Sequence, residues 1–258
     1  MVGTLTVPNE EDEKSLVLIL HGMSGNRKGA HIKGTSKALF EYAADIFAKR
    51  GVASLSISTG GRGGSEGKFV DMTLERRIRE AVKAIEWISK QDWLQIEKIS
   101  ILGHSQGSLV AVSAATRLAR SQPIASIILW APQTNALSTY RRSMGEAVYQ
   151  KGLNAKPDEV VSWIGATGKL RAFKRDFFRG LSNIDTLSEI EEYKGRLLIV
   201  TGSRDRWSTS TNAQAFKHRH NGTNSQIELD VGHRMGAAFG EPAVESVVNE
   251  TLQWILSD

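Results

Sequence analysis

Residues 99–114, ISILGHSQGSLVAVSA, limit how this chain can fold more than any other stretch. The stretch opens as a short apolar run, passes through Gly103-His104-Ser105-Gln106-Gly107, and continues as small and apolar residues at helical spacing. That predicts a strand, a sharp turn and a helix, the setting in which G-x-S-x-G forms a nucleophile elbow. A strand that becomes a helix within so few residues forces strained backbone angles on the turn. Side chains flanking the serine would clash, so positions 103 and 107 must be nearly bare. Ser105 is then pushed out at the top of the turn, beside free N–H groups and the positive end of the helix dipole.

Around this junction the chain alternates between strand and helix patterns. Residues 4–7 read as an edge strand and residues 8–14 as a polar turn. Residues 15–20, SLVLIL, form a continuous apolar run, expected to be buried on both faces. A helix follows over 35–50, with Leu39, Tyr42, Ala43, Ile46 and Phe47 on one face and Gly51 as its stop. After a strand at 52–58 comes a loop of five glycines, TGGRGGSEGK at 59–68, read as flexible. It lacks the G-K-[ST] ending of a phosphate-binding loop. Residues 71–90 form a long amphipathic helix with Ile78, Ala81, Val82, Ile85 and Ile88 as its stripe. The strand into the elbow covers 96–102, the helix after it 105–121, and a further buried strand 124–130.

Between Pro132 and Gly195 the rhythm changes, with no clear strand and several short amphipathic stretches carrying Tyr140, Tyr149, Trp163, Phe173, Phe177 and Phe178. A structureless loop of that length is unusual, so a helical insertion over the sheet is expected. The rhythm resumes with a strand at 196–201, a helix at 209–220, a strand at 225–231 and a closing helix at 242–256. The fold class expected is therefore α/β, a mostly parallel sheet flanked by helices. Its core is residues 1–132 and 196–258, with a cap at 133–195.

At 258 residues the chain is long enough for one large domain with a sizeable core. It has no cysteine, which excludes disulfides, a cysteine nucleophile and thiolate-bound metal. The acidic start, MVGTLTVPNEEDEK, has no basic segment followed by an apolar one, and with the absent cysteines this fits a cytoplasmic protein. No apolar run is long enough to span a bilayer. The net charge of +5 is scattered apart from a local run at Lys169, Arg171, Lys174, Arg175 and Arg179. No basic arm, zinc finger or RNA-binding aromatic motif accompanies it, so no nucleic-acid partner is expected.

A serine hydroxyl is a poor nucleophile near neutral pH. It needs a base, the base an orienting acid, and the oxyanion a set of donors. The acid is expected at the end of a late strand, where Asp205 follows RLLIVTG. The base is expected after the last strand, where His233 stands in Val231-Gly232-His233. Ser, Asp, His is the chain order that goes with this elbow. The rivals are weaker. His218 and His220 read as the solvated basic end of a helix, His31 lies in a loop, Asp230 falls inside the last strand, and Asp176 and Asp185 lie in the insertion. One oxyanion donor should be the backbone N–H of Gln106. The second should come from the loop His21-Gly22-Met23, with Met23 N–H the best candidate and His21 bracing the loop. No metal or cofactor is required, and the partner expected is a small-molecule ester.

His21-Gly22, the elbow His104-Ser105-Gln106, Asp205 and His233 together resemble the α/β-hydrolase superfamily over nearly the whole chain. More narrowly, Gly64-Ser65-Glu66-Gly67-Lys68-Phe69, Asp71-Met72-Thr73, the elbow and the size of the cap look like small cinnamoyl/feruloyl-type esterases and their serine-aminopeptidase-like relatives. The resemblance implies Ser105 as nucleophile, Asp205 and His233 as its partners, and Met23 with Gln106 as the oxyanion pair. Two departures stand out. Many relatives carry Asp-x-Arg-Gly-x-Gly-x-Ser in the glycine loop, where this chain has no Asp, and a second glycine often follows the elbow where Ser108 stands here. The activity expected is a serine carboxylesterase working through an acyl-enzyme on small to medium, including aromatic acyl, esters. A peptidase, acyl-peptide hydrolase or lipase-like activity would use the same triad, the peptidase needing an acidic site for the substrate's amino group. A non-hydrolytic receptor on this fold is disfavoured by the complete triad.

Overall fold

The structure, a computed structural model, describes residues 1–9, 15–165 and 168–257. Residues 10–14 of the expected polar turn, and 166–167 of the expected cap, lie outside the described residues. In chain order the elements are β1 (Val2–Thr6), β2 (Ser15–Leu20), α1 (Leu39–Ala48), β3 (Val52–Ser58), α2 (Leu74–Ile88), β4 (Lys98–His104), α3 (Gln106–Leu118) and β5 (Ser126–Trp130). There follow α4 (Ala136–Met144), α5 (Glu146–Asn154), β6 (Val160–Ile164), β7 (Leu170–Lys174), α6 (Arg175–Gly180) and α7 (Thr186–Glu192). β8 (Arg196–Gly202), α8 (Ser210–Arg219), β9 (Asn224–Leu229) and α9 (Glu241–Leu256) close the chain.

Among the described residues seven strands form the main sheet, in the order β1-β3-β2-β4-β5-β8-β9. All neighbours run parallel except β1, which pairs antiparallel with β3 at the edge. The continuous apolar run of β2 follows from its central place. Leu16, Leu18 and Leu20 enter one core with α2 and α3, while Val17 and Ile19 enter the other with α1 and α9. Strand order reverses beside β2 and β4, so their carboxyl ends open into the crevice where ligands meet such sheets.

The segment between β5 and β8 differs from expectation. Besides four short helices it holds an antiparallel hairpin of β6 and β7, pairing Val160 with Lys174 and Ile164 with Leu170. Its aromatics are buried and stack on one another, with Phe173 and Phe177 ring centres 4.2 Å apart. They belong to the same apolar cluster as α2 and α3, and Phe173 reaches Phe69 at 5.3 Å. The insertion is thus continuous with one of the two cores. Among the described residues no helix is long and apolar enough to cross a membrane.

Candidate active site

The elbow is built as its residue types require. Ser105 sits between β4 and α3 at φ +54° and ψ −119°, a conformation that non-glycine residues adopt only when their surroundings impose it. A Cβ at Gly103 would stand 2.4 Å from Gly107 O, and one at Gly107 would stand 2.3 Å from Leu20 O. Both contacts are with backbone, so neither position admits a side chain. Ser105 N donates to Trp130 O at 2.9 Å, which fixes the turn to the end of β5.

Asp205 lies just after β8 and His233 just after β9, and the fold brings both to Ser105. His233 Nε2 is 3.0 Å from Ser105 Oγ, and His233 Nδ1 is 2.8 Å from Asp205 Oδ2. The Asp205 side chain is fully buried, whereas 28% of His233 remains exposed. Burial works against the charge on Asp205. The hydrogen bond from His233, its charge, and the N–H groups of Trp207 and Ser208 outweigh burial and hold the carboxyl below its ordinary range. One carboxylate oxygen therefore orients the imidazole while the other is held by the backbone.

The loop after β2 closes on the nucleophile from the other side. A Cβ at Gly22 would lie 3.3 Å from Ser105 Cβ, so the loop runs as near to Ser105 as a glycine permits. This brings the Met23 segment beside the elbow, where Gln106 opens α3 and its N–H has no place in the helix ladder. His21 braces that loop. Its Nδ1 lies 2.5 Å from Gly22 O and its Nε2 accepts from Thr59 N at 3.2 Å. Burial, aided by the charge of Arg77, pushes its pKa down to about 3, so the ring is neutral and Nδ1–H donates. His104 is likewise neutral, its pKa pushed down to about 4 by burial and by the charge of His233. Its Nε2 donates to His233 O at 2.7 Å, tying the loop of the candidate base to the elbow strand.

Several expectations need correction. The glycine loop is bonded rather than free. Ser65 Oγ donates to Ser58 O at 2.7 Å, and Arg62 donates to Ser24 O and Gly25 O in the loop after β2. Thr59 braces His21 through its N–H, which donates to His21 Nε2. His220 is buried against Tyr193, ring centres 5.7 Å apart, and is not part of a solvated helix end; His218 is exposed. Asp230 lies past the end of β9 and pairs with Arg204. Ser108, in the position often glycine, donates to Ser105 O at 2.6 Å and accepts from Gln133 N at 2.9 Å, which joins the elbow to the start of the insertion.

One functional candidate escaped the sequence reading. Arg77 of α2 is buried, and its guanidinium donates to Gln106 Oε1 and to His21 O. Gln106 Nε2 in turn donates to Tyr140 Oη of α4 at 2.6 Å. The signal was present, since position 77 lies three residues after Leu74 and four before Ala81, on the apolar stripe of α2.

The sequence profile of the X-Pro dipeptidyl-peptidase (S15) family matches residues 4–232. The chain belongs to that family. As an S15-family member it is a hydrolase of the α/β fold. No curated protein sequence matches it. Among solved structures, Est1E from Butyrivibrio proteoclasticus with ferulic acid bound is similar at a TM-score of 0.76 and 23% identity, over 99% of this chain and 94% of that one. A monoacylglycerol lipase from Paleococcus ferrophilus reaches 0.71 at 14% identity, over 99% and 98% of the two chains. The α/β hydrolase GrgF from Penicillium sp. sh18 reaches 0.74 at 14% identity, over 98% and 92%. At these identities the likeness to these three solved structures is one of fold alone. The superfamily expected from the sequence is thereby met, and the narrower likeness to feruloyl-type esterases rests on shape.

Proposed function

We propose that the chain hydrolyses carboxylic esters through an acyl-enzyme on Ser105. The observation that carries this reading is the unbroken chain of hydrogen bonds from Ser105 Oγ through the His233 imidazole to Asp205. Ser105 Oγ attacks the ester carbonyl carbon while its proton passes to His233 Nε2. The carbonyl oxygen, now negative, is held by the N–H groups of Met23 and Gln106. Collapse breaks the ester bond, and the leaving alcohol takes the proton from His233. Water then repeats the sequence on the acyl-enzyme, releasing the acid and restoring Ser105. Asp205 keeps the imidazole in the tautomer that accepts at Nε2 and stays ionised throughout. Residues 133–195 act in this reading as a cap whose first helix touches the elbow, an idea supported by the bond from Gln106 to Tyr140.

A peptidase reading is favoured by the family's own description, X-Pro dipeptidyl-peptidase. It uses the same steps but must also hold a substrate ammonium. The test is turnover on a panel of aryl acetates, aromatic acyl esters, aminoacyl esters and X-Pro anilides. Wild-type protein is expected to be labelled by a fluorophosphonate and to prefer the plain esters. Ser105→Ala should lose labelling and on the order of 10⁴ or more in rate. His233→Gln should lose the rate and, in what remains, the acidic limb of kcat/KM. Near-normal turnover in Ser105→Ala would remove the mechanism, and a preference for X-Pro anilides would select the peptidase.

A further inference from the structure

Arg77 does something a structural arginine on a helix does not need to do. Its two terminal nitrogens reach two different segments, His21 O at the end of β2 and the side chain of Gln106 at the start of α3. These segments carry the two N–H groups assigned above to the oxyanion. A planar fork with fixed spacing between its nitrogens therefore sets the spacing between the segments. Gln106 passes the constraint on to Tyr140 in the insertion. Arg77 is 2% exposed, and no carboxylate pairs with it among the described residues. Its near neighbour Glu80 is bonded to Arg76 Nε at 3.0 Å and to Gly60 N at 3.2 Å. Burial draws the pKa of Arg77 down to about 10, which still leaves it a cation at neutral pH. The fields of Tyr140 and Glu80 support that charge, but burial opposes it more strongly, so the charge is costly to keep. Here the guanidinium is bonded to the same two segments from which the proposed oxyanion donors come, and it is buried from the water that would screen it.

We propose that Arg77 is the positioning residue of the oxyanion site, bridging the Met23 and Gln106 segments with one guanidinium and lending its charge to the transition state. This rests on the acyl-enzyme reading above. The transition state gains from the bridge more than the bound ester does, so loss should fall on kcat rather than on KM. Misplacing an oxyanion donor by about 1 Å, or losing one, lowers rates on the order of 10²-fold.

The experiment is turnover per functional site, with sites counted by fluorophosphonate titration, in wild type, Arg77→Lys, Arg77→Met, Gln106→Met and the double variant Arg77→Lys/Gln106→Met. Expected is a fall of about a hundredfold in kcat per titrated site for Arg77→Met, with KM moved less than about threefold. Arg77→Lys, which keeps the charge but not the fork, should recover part of the loss. Inhibition by an arylboronate, whose tetrahedral adduct on Ser105 is an anion with a hydroxyl in the oxyanion position, should weaken in parallel with kcat/KM. The double variant should lose no more than the worse single one, since both changes cut the same bridge. A merely structural arginine would lower the number of titratable sites and leave turnover per site unchanged, which would overturn the proposal. Additive losses in the double variant would overturn it as well. If Arg77→Met yields no folded protein, the Lys and Gln106 variants still decide between these outcomes. Wild-type protein that cannot be labelled at Ser105 would instead remove the acyl-enzyme reading, and this inference with it.

Discussion

Two neutral histidines beside the candidate nucleophile, His21 buried and His104 half-buried, make this fold sensitive to acid before its carboxylates titrate. His21 and His104 have pKa values pushed down to about 3 and about 4, burial being the first cause in each. In the unfolded chain both titrate near 6.5. Between the two values the unfolded chain binds protons that the folded chain does not, so stability falls as pH falls. The slope is about 1.4 kcal/mol per pH unit for each histidine. At pH 5 the unfolded form of each is favoured by about 2 kcal/mol relative to neutral pH, about 4 kcal/mol for the pair. Against a total of about 5–15 kcal/mol for a typical fold that is a large share. Asp205, held below its ordinary range, adds an effect of the same sign, but only lower, as its carboxylate protonates.

The perturbation that isolates one of the pair is His104→Gln. The Gln Nε2 can stand where His104 Nε2 donates to His233 O, while the titration is gone. Urea unfolding at pH 7, 6 and 5 gives the assay, followed by tryptophan fluorescence. The variant should lose some stability at pH 7 through imperfect packing against Phe40, whose ring centre lies 6.2 Å from that of His104. Between pH 7 and pH 5 its further loss should be about 2 kcal/mol smaller than that of wild type. Glu189, raised by burial, acts in the opposite sense but equally in both proteins, so it cancels in the difference. Equal pH dependence in the two proteins would refute the argument, because it would mean that His104 binds its proton as readily folded as unfolded.

Two further outcomes follow from close contacts and charge. Gly107→Ala puts a Cβ 2.3 Å from Leu20 O, and the backbone of β2 must move away; midpoint and kcat per titrated site should both fall, with stability down by about 1–3 kcal/mol. Arg171→Glu should raise kcat/KM on aminoacyl esters relative to plain aryl esters, measured on the same panel; an unchanged ratio would mean that charge at this position does not reach the substrate.

Most of the sheet and the candidate site were legible because each rests on local signals that agree. A continuous apolar run such as SLVLIL has few alternatives to a strand buried on both faces. The glycines at 103 and 107 announce a close approach that the structure meets at backbone distance. Strand-end positions then name Asp205 and His233 almost by elimination. The hairpin of β6 and β7 was missed because its alternation is invisible in hydropathy. Val160, Ser162 and Ile164 point outward, and two of these three are apolar, so no polar rhythm marks the exposed face. The Arg76-Arg77 pair hid the buried arginine, since one member of the pair is half-buried and bonds Glu80 while the other is sealed in the core. Reading the stripe by position rather than by residue class would have exposed it. His220 was misread for a related reason, because three basic neighbours suggested solvent, while its place four residues after buried Phe216 turns it inward.

The two hydrolytic readings share the triad, and they part at whatever holds the far end of the substrate. A dipeptidyl-peptidase must place an ammonium group at a fixed distance from the serine, and a carboxylate is the side chain that does so. Arg77 bonds the elbow, Arg62 bonds the loop after β2, and Arg171 lies on the hairpin of the insertion. Arg77 and Arg171 both act on the hydroxyl of Tyr140, and Arg62 acts on Arg171. Arg171 stands opposite Trp163 in the hairpin, half-buried, and no carboxylate pairs with it among the described residues. The nearby carboxylates are already engaged, Glu80 with Arg76 and Asp71 with Lys174. Cations in a poorly screened site repel an ammonium and attract a carboxylate or a polarised carbonyl. The proposed ester reading draws on this charge, since arginines that repel a peptide amino terminus suit an ester whose acyl part is neutral or negatively charged, and the panel of aminoacyl esters and X-Pro anilides tests it against the peptidase.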